Sequence, residues 1–192
     1  MSFSNLMILF TIYSFLGWCA EVIYQYFTQK KFINRGFLYG PFCPIYGICI
    51  LLVIHLLEGF SGNLVVLFIV STILISFIEY VTSYILEKLF HLKWWDYTDD
   101  PLNLHGRICF HFSLGWGLAT IFAIKVVHPL LTGFTELISE HSAKLIAIIL
   151  LCYFVFDLLV TLGKLLVPNK PDSHFKDYLK RGWFISSSFY KL

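Results

Sequence analysis

The chain has 192 residues, of which 58% are apolar and only 14% are charged. Soluble domains carry about 25% charged residues, so this composition excludes an ordinary water-soluble protein, and its hydrophobicity excludes a disordered chain. We therefore expect one integral membrane domain whose first partner is the lipid bilayer.

Five apolar segments are candidates for membrane-spanning helices, which need about 20 residues each. They cover roughly residues 5–27, 43–59, 64–88, 107–127 and 144–167. Pro44 stands at the start of the second, where a proline is tolerated, so we expect a non-helical approach that becomes helical at this residue. No segment alternates apolar and polar residues as a membrane barrel requires. The sequence predicts an all-α, polytopic membrane helix bundle with five transmembrane helices over residues 1–167.

The orientation follows from the distribution of lysine and arginine, which accumulate on the cytoplasmic side. Of the 14 such residues, 12 lie in the first loop, the third loop and the C-terminal end, and only Lys125 and Lys144 lie elsewhere. This distribution predicts an outside N-terminus and a cytoplasmic C-terminus in the cell membrane. Residues 168–192 form a basic, aromatic tail, which fits either an anchor on anionic lipid or a docking segment for a cytoplasmic partner.

Ionisable side chains inside the predicted spans need a reason, because each costs several kcal/mol, about 2.5–3.5 kcal/mol on insertion scales. One reason is structural, since small and polar residues pack helices together and acids pair with bases. The other is a polar cavity open to the cytoplasm that takes a cation, a proton or an amine. The ionisable residues of the spans, with the polar and small residues that share their helical faces, are candidates for either role. In chain order they are Ser14, Gly17 and Glu21; Thr72, Ser76, Glu79, Ser83 and Glu87; Arg107 and His111; and Asp157.

The first and third loops are apolar or aromatic, yet rich in glycine and proline, which is unusual for solvated cytoplasmic loops. We expect them to fold back over the polar site, because such backbone is tolerated only against protein or a wet cavity. Arg35, Asp96 and Asn103 would then be site residues, and Glu79 would face Arg107. The candidate substrate-binding set is Glu21, Arg35, Glu79, Asp96, Asn103, Arg107, His111 and Asp157.

Several kinds of chemistry are not indicated. The chain has no G-x-x-x-x-G-K-[ST] phosphate loop and no H-E-x-x-H or G-x-S-x-G motif. Its cysteines form no C-x-x-C pair, so we predict neither a metal site nor a cofactor. The formal net charge of +2 suits lipid headgroups better than nucleic acid.

The loop motifs resemble those of a bacterial family of integral membrane proteins described as putative ABC transporter type IV. The resemblance covers roughly residues 10–130. It is carried by Gly17-Trp18 with Glu21, Asn34 to Leu38, Gly40-Pro41, Cys43 to Gly47, Glu79-Tyr80, Glu87, Trp95 to Tyr97, Pro101, Asn103, Gly106 to Cys109, Ser113 and Trp116-Gly117. It implies a permease-like transporter component without a specified substrate.

Such a component would need a separate ATPase chain, and a second copy of the protein also stays open as a partner. We expect no catalytic activity of its own. Two alternatives remain at this stage. One is a membrane-embedded, lipid-modifying enzyme that uses the same acids and Arg107, and the other is a lipid-binding scaffold subunit whose polar residues only hold helices together.

Overall fold

The computed structural model describes residues 1–30, 32, 34, 36–57 and 62–166. The predicted tail and Arg35 therefore lie outside the described residues. Within these ranges the chain forms helices and one short hairpin. The elements are α1 (Phe3–Gln29), α2 (Pro44–Leu57), α3 (Leu64–Phe90), β1 (Asn103–Leu104), β2 (Ile108–Cys109), α4 (Phe110–Phe122), a π-helical turn (Ala123–Val127), α5 (His128–Glu136) and α6 (Glu140–Leu166).

The predicted membrane helix bundle is confirmed. Four helices in the described part of the chain are long and apolar enough to cross a membrane: α1, α3, α6 and the continuous helix Phe110–Glu136. The remaining predicted span, the second in chain order, is an apolar helix of only 14 residues, α2. It begins at Pro44, as predicted, because proline lacks the backbone N–H that a first helical turn leaves unpaired.

The fourth span differs from its predicted bounds of 107–127. It begins at Phe110, after the hairpin, and continues to Glu136 through Pro129. A proline inside a helix removes one backbone hydrogen bond and clashes with the carbonyl of the preceding turn. Here the turn before it widens into π-helix, and the N–H of His128 donates to the carbonyl of Ala123. The widened turn accommodates the proline, so the span continues without a break.

The helices pack closely where side chains are small. A Cβ added at Gly47 would lie 2.6 Å from the Phe10 ring, and one at Gly17 would overlap the ring of Tyr46. Glycine therefore allows α1 and α2 to approach. A buried apolar cluster joins α2 to α3 through Cys49, Val53, Leu57, Leu67 and Ile75. A second joins α1 to α6 through Met7, Leu38, Ala147 and Phe154.

Residues 36–43, here called the re-entrant segment, run back along α1 before α2 begins. The N–H of Cys43 donates to the carbonyl of Ser14 at 2.9 Å. Ser14 lies 15 residues before the end of α1, about 22 Å along the helix axis at 1.5 Å per residue. The chain therefore returns to the middle of α1 without forming a helix, and α2 starts at that depth.

Candidate functional site

Two acids from different helices converge inside the bundle. Glu79 lies on the packed face of α3 and is 7% exposed. Glu21 lies on the third quarter of α1, and its carboxylate is close enough to repel that of Glu79. The sequence prediction grouped these two acids with Asp157, Arg107 and His111 in one polar cavity; in the structure, Glu21 and Glu79 form the centre of the candidate site.

A tyrosine hydroxyl reaches each of these carboxylates from outside the long helices. Tyr46, in the first turn of α2, donates to Glu21 Oε1 at 2.6 Å. Tyr97, in the loop between α3 and β1, donates to Glu79 Oε1 at 3.1 Å. Burial raises the pKa of Tyr97 well above its ordinary value, and the charges of Glu79 and Glu21 raise it further. Tyr97 therefore remains a protonated donor. We call these four residues, Glu21, Tyr46, Glu79 and Tyr97, the acid–tyrosine site.

Aromatic rings from α4 close the acid–tyrosine site. The ring of Trp116 meets that of Tyr46 edge to face, with centroids 5.4 Å apart, and its indole N–H reaches the Glu79 carboxylate. The ring of Tyr97 stacks on Phe112 at 5.2 Å. The second oxygen of Glu79, Oε2, is buried and has no hydrogen-bond partner among the described residues. The site thus holds a buried carboxylate oxygen able to accept a further proton or ion.

Asp96 organises the loop that carries Tyr97. Its Oδ1 accepts from the backbone N–H of Thr98 at 3.1 Å and from the Thr98 hydroxyl, and its Oδ2 accepts from Lys93 Nζ at 2.9 Å. Burial opposes ionisation of this carboxyl, but the hydrogen bonds from Thr98 and Lys93 prevail and lower its pKa. The described contacts of Asp96 are thus within its own loop.

Asn103 has a similar position in the loop. Its side-chain N–H groups donate to the carbonyls of Thr98 and Asp100, and its Oδ1 accepts from Gly106 N at 2.9 Å. Gly106 has a φ of +68°, and an added Cβ would lie 2.5 Å from the Thr98 hydroxyl. Asn103 and Gly106 together close the hairpin turn, so the contacts of Asn103 also lie within the loop.

Arg107 pairs with a different acid from the one predicted. Its Nη2 lies 2.6 Å from Glu87 Oε2, and its guanidinium lies against the rings of Tyr80 and Tyr84. The expectation that it faces Glu79 is wrong. Glu79 lies eight residues earlier on α3, about 12 Å deeper in the bundle. The hairpin holds Arg107 near the end of α3, where Glu87 is the acid within reach.

His111 belongs to a separate cluster at the start of α4. Its Nε2 lies 4.0 Å from Asp100 Oδ1, and its Nδ1 lies 3.7 Å from Cys109 Sγ. A cysteine, a histidine and an aspartate in this order could form a nucleophile with its base. However, Cys109 is 1% exposed, and burial raises the pKa of its thiol to about 11. At neutral pH the thiol stays protonated, which does not suit a nucleophile.

Asp157 lies on the packed face of α6 and binds the re-entrant segment. Its Oδ1 accepts from the N–H of Tyr39 and its Oδ2 from the N–H of Gly40, both at 2.9 Å. Tyr153 also hydrogen-bonds to this carboxylate. No described hydrogen bond joins Asp157 to Glu21 or Glu79; the described contacts of this aspartate hold the re-entrant segment.

The described part of the first loop contacts α1. Trp18 Nε1 donates to Asn34 Oδ1 at 2.6 Å, and the Asn34 amide donates to the carbonyl of Tyr39. The prediction for Arg35 lies outside the described residues. Neither Tyr46 nor Tyr97 was predicted as a site residue from the sequence, although both stand in the loop motifs. For Tyr46, its position directly after the Gly- and Pro-rich run was the available signal.

Comparison with known proteins agrees with this picture. The family model described as putative ABC-transporter type IV matches residues 8–162, which include the whole acid–tyrosine site. The chain belongs to this family. No curated protein matches the chain, and no solved structure matches it. Membership of the putative ABC-transporter type IV family makes the protein a transporter-like membrane component.

Proposed function

We propose that the protein is the membrane-embedded part of a transporter and that its acid–tyrosine site binds a cation. One observation carries this proposal: Glu21 and Glu79, from two different helices, converge inside an otherwise apolar bundle. Keeping ionisable groups at this depth is costly, and such groups commonly mark ion or substrate pathways. Family membership supports the transporter class but leaves the transported species open.

The chemistry around Glu79 favours a positively charged ligand. The described hydrogen bonds to its carboxylate come from neutral groups, a tyrosine hydroxyl and an indole N–H, which do not cancel its charge. The rings of Tyr46 and Trp116 add electron-rich faces, which attract cations. A proton, an inorganic cation or an amine would each satisfy Glu79 Oε2.

Both irregular segments on the predicted cytoplasmic side support access from that side. The re-entrant segment leads directly into Tyr46, and the hairpin loop carries Tyr97. Moving either segment would withdraw a hydroxyl from the site, so binding and loop position would be coupled. The energy for transport would come from a separate ATPase chain, because this sequence has no phosphate loop of its own.

A lipid-modifying enzyme is the second candidate, and the Cys109–His111–Asp100 cluster is the observation that favours it. A thioester mechanism would need Cys109 as a thiolate. The burial of this thiol and its raised pKa weigh against that mechanism. The transporter component is therefore the better-supported function.

The proposal can be tested by thermal unfolding of the purified full chain in mild detergent, with Na⁺, K⁺ and an alkylammonium ion over a range of pH. A ligand at 100 times its Kd stabilises the folded state by about 2.7 kcal/mol. We expect at least one cation, or acidification, to stabilise the wild type, and Glu21→Gln and Glu79→Gln to abolish the effect. Glu140→Gln is the matched control, since Glu140 is an exposed acid paired only with Lys144 in the described structure.

Two results would contradict the proposal. In one, none of these cations, protons included, changes the stability of the wild type. In the other, the stabilisation persists when Glu21 and Glu79 are both replaced by glutamine. An ATPase that co-purifies and is stimulated by the wild-type chain, but not by Glu79→Gln, would support the partner assignment.

A further inference from the structure

Two buried hydroxyl oxygens of α3 lack the hydrogen bonds that such groups normally make. Thr72 Oγ1 and Ser76 Oγ are buried without a partner among the described residues, like Glu79 Oε2. Other hydroxyls of the bundle bond to their own helix: Ser71 donates to the carbonyl of Leu67 at 2.6 Å, and Thr120 to that of Trp116 at 2.8 Å. Ser14 Oγ on α1 is likewise buried without a partner among the described residues, but Thr72 and Ser76 share a helix with Glu79, and each needs another partner.

The three unpartnered groups are aligned along the helix. Thr72, Ser76 and Glu79 are spaced by four and three residues, which places them on one helical face, about 5–6 Å apart. Thr72 lies against Gly117 of α4, where an added Cβ would overlap its hydroxyl. The line thus follows the α3–α4 contact towards Trp116 and the acid–tyrosine site.

This spacing allows water molecules to bridge neighbouring groups of the line. A hydroxyl pair 5–6 Å apart is bridged by one water molecule with a hydrogen bond of ordinary length on each side. Buried waters characteristically satisfy polar groups that protein atoms leave unpaired. A chain of such waters carries protons, whereas a metal ion such as Ca²⁺ or Mg²⁺ would need about six oxygen ligands at the site.

We propose that the ligand of the acid–tyrosine site is a proton, which reaches Glu79 along a hydrated path past Thr72 and Ser76 between α3 and α4. Because Thr72 and Ser76 precede Glu79 on α3, this path lies on the predicted outer side of the site, opposite the two irregular segments on the cytoplasmic side. This inference rests on the proposed function, because it names the cation that the site binds. A hydronium ion at the entrance of the path gives up a proton, and each water along the path gains one proton as it passes another on. The last water, beside Ser76, breaks one O–H bond as Glu79 Oε2 forms one, which leaves neutral waters and a neutral carboxylic acid. The repulsion between Glu79 and Glu21 then disappears, which favours binding of one proton by the pair.

Several other titratable groups surround Glu79. Each of them is a possible alternative source of a pH-dependent signal. Tyr97 and Tyr46 act as hydroxyl donors, and burial keeps the Cys109 thiol protonated at neutral pH. The groups that interact electrostatically with Glu79 are Glu21 on α1, Cys49 on α2, Tyr97 in the loop and Cys109 before α4. A change confined to the Glu79 carboxyl is thus the specific signature of this proposal.

The test is infrared spectroscopy of the full chain reconstituted in vesicles of phosphatidylcholine and phosphatidylglycerol. A protonated carboxylic acid gives a carbonyl band that shifts in heavy water, and the rate of the shift reports access of solvent protons. We expect the wild type to show the band and Glu79→Gln to lose it. Replacing Thr72 by valine together with Ser76 by alanine should slow the shift about tenfold, the factor for one lost hydrogen bond of about 1.4 kcal/mol.

Ser71→Ala is the matched control, because Ser71 is a buried hydroxyl on the same helix that already bonds to its own backbone. It should leave the exchange rate unchanged. If the path variant exchanges as fast as Ser71→Ala, the hydrated path is refuted. If the wild type shows no protonated carboxyl band that depends on Glu79, the proton is refuted as the ligand, while stabilisation by another cation would still uphold the proposed function. The exchange measurement uses the wild-type Glu79, so it does not depend on whether Glu79→Gln folds.

Discussion

Asp157 should be among the most sensitive positions in the protein, because one side chain satisfies two backbone N–H groups of the re-entrant segment. Both hydrogen bonds are 2.9 Å long, and Asp157 is 5% exposed. Asp157→Ala would leave the N–H groups of Tyr39 and Gly40 without acceptors. An unpaired donor costs about 1–3 kcal/mol when it is fully buried, and these two hydrogen bonds are partly buried. We expect the free energy of unfolding to fall by about 2–4 kcal/mol, because hydrogen bonds in membrane helix bundles contribute less than the upper end of this range.

Two further substitutions separate this effect from general damage. Asp157→Asn keeps one carbonyl oxygen as an acceptor and turns an N–H group towards the other donor, so it should cost about half as much. Thr161→Val removes only the 3.5 Å bond from the Thr161 hydroxyl to Asp157 Oδ1 and should have little effect. Unfolding by sodium dodecyl sulfate in mixed micelles, followed by circular dichroism, measures these losses.

A second assay follows the re-entrant segment directly. Leu38 is 5% exposed, and a cysteine in its place, with the five native cysteines replaced, should react slowly with a water-soluble maleimide. Asp157→Ala should accelerate the reaction, because the segment loses its anchor on α6. If the free energy of unfolding of Asp157→Ala lies within about 0.5 kcal/mol of the wild-type value, and labelling is not accelerated, the anchoring role is refuted.

Three more predictions concern the hairpin loop and its ion pair. Glu87 and Arg107 should be replaced by apolar residues, singly and together, in the same unfolding assay. The coupling energy between the two changes should be about 1–3 kcal/mol, because either single change leaves a charge unpaired. Losses that simply add would contradict the ion pair. Gly106→Ala should destabilise by about 1–3 kcal/mol, because a side chain is strained at its positive φ. Gly115→Ala, which meets open space, should change stability by less than about 0.5 kcal/mol, and equal effects would refute the argument. The lowered pKa of Asp96 stabilises the folded loop above the ordinary pKa of an aspartate, and this contribution is lost as pH falls through the lowered value. Proteolysis of the loop should therefore accelerate in acid for the wild type more than for Asp96→Asn, and identical pH profiles would contradict this.

The helices were predictable because their signal is local. A run of apolar residues long enough to cross a bilayer needs no knowledge of the rest of the chain, and Pro44 marked the start of α2 by its missing N–H. The end of the fourth span was missed because a proline usually ends or kinks a helix, whereas a π-helical turn before Pro129 absorbs it here.

The candidate site was predictable only in part, because side-chain partners depend on how the loops fold. Helical spacing placed Glu21 and Glu79 on packed faces, but it could not show that tyrosines from two irregular segments would reach them. Arg107 was assigned to Glu79 from its position before α4. The hairpin, whose register pairs Leu104 with Ile108, holds Arg107 beside Glu87 instead, and that register is not visible in the helical pattern.

The acids of the bundle differ in what compensates their charge, and this difference is the strongest argument for where a ligand binds. Asp157 has two backbone N–H groups, and Glu87 has the guanidinium of Arg107. In the described part of the chain, Glu79 has only a hydroxyl and an indole N–H, and its Oε2 has no hydrogen-bond partner. Burying a carboxylate with so little compensation is costly unless a positive species joins it. Asp157 and Glu87 therefore hold the irregular segments in place, and Glu79 is the acid at which we propose that a ligand binds.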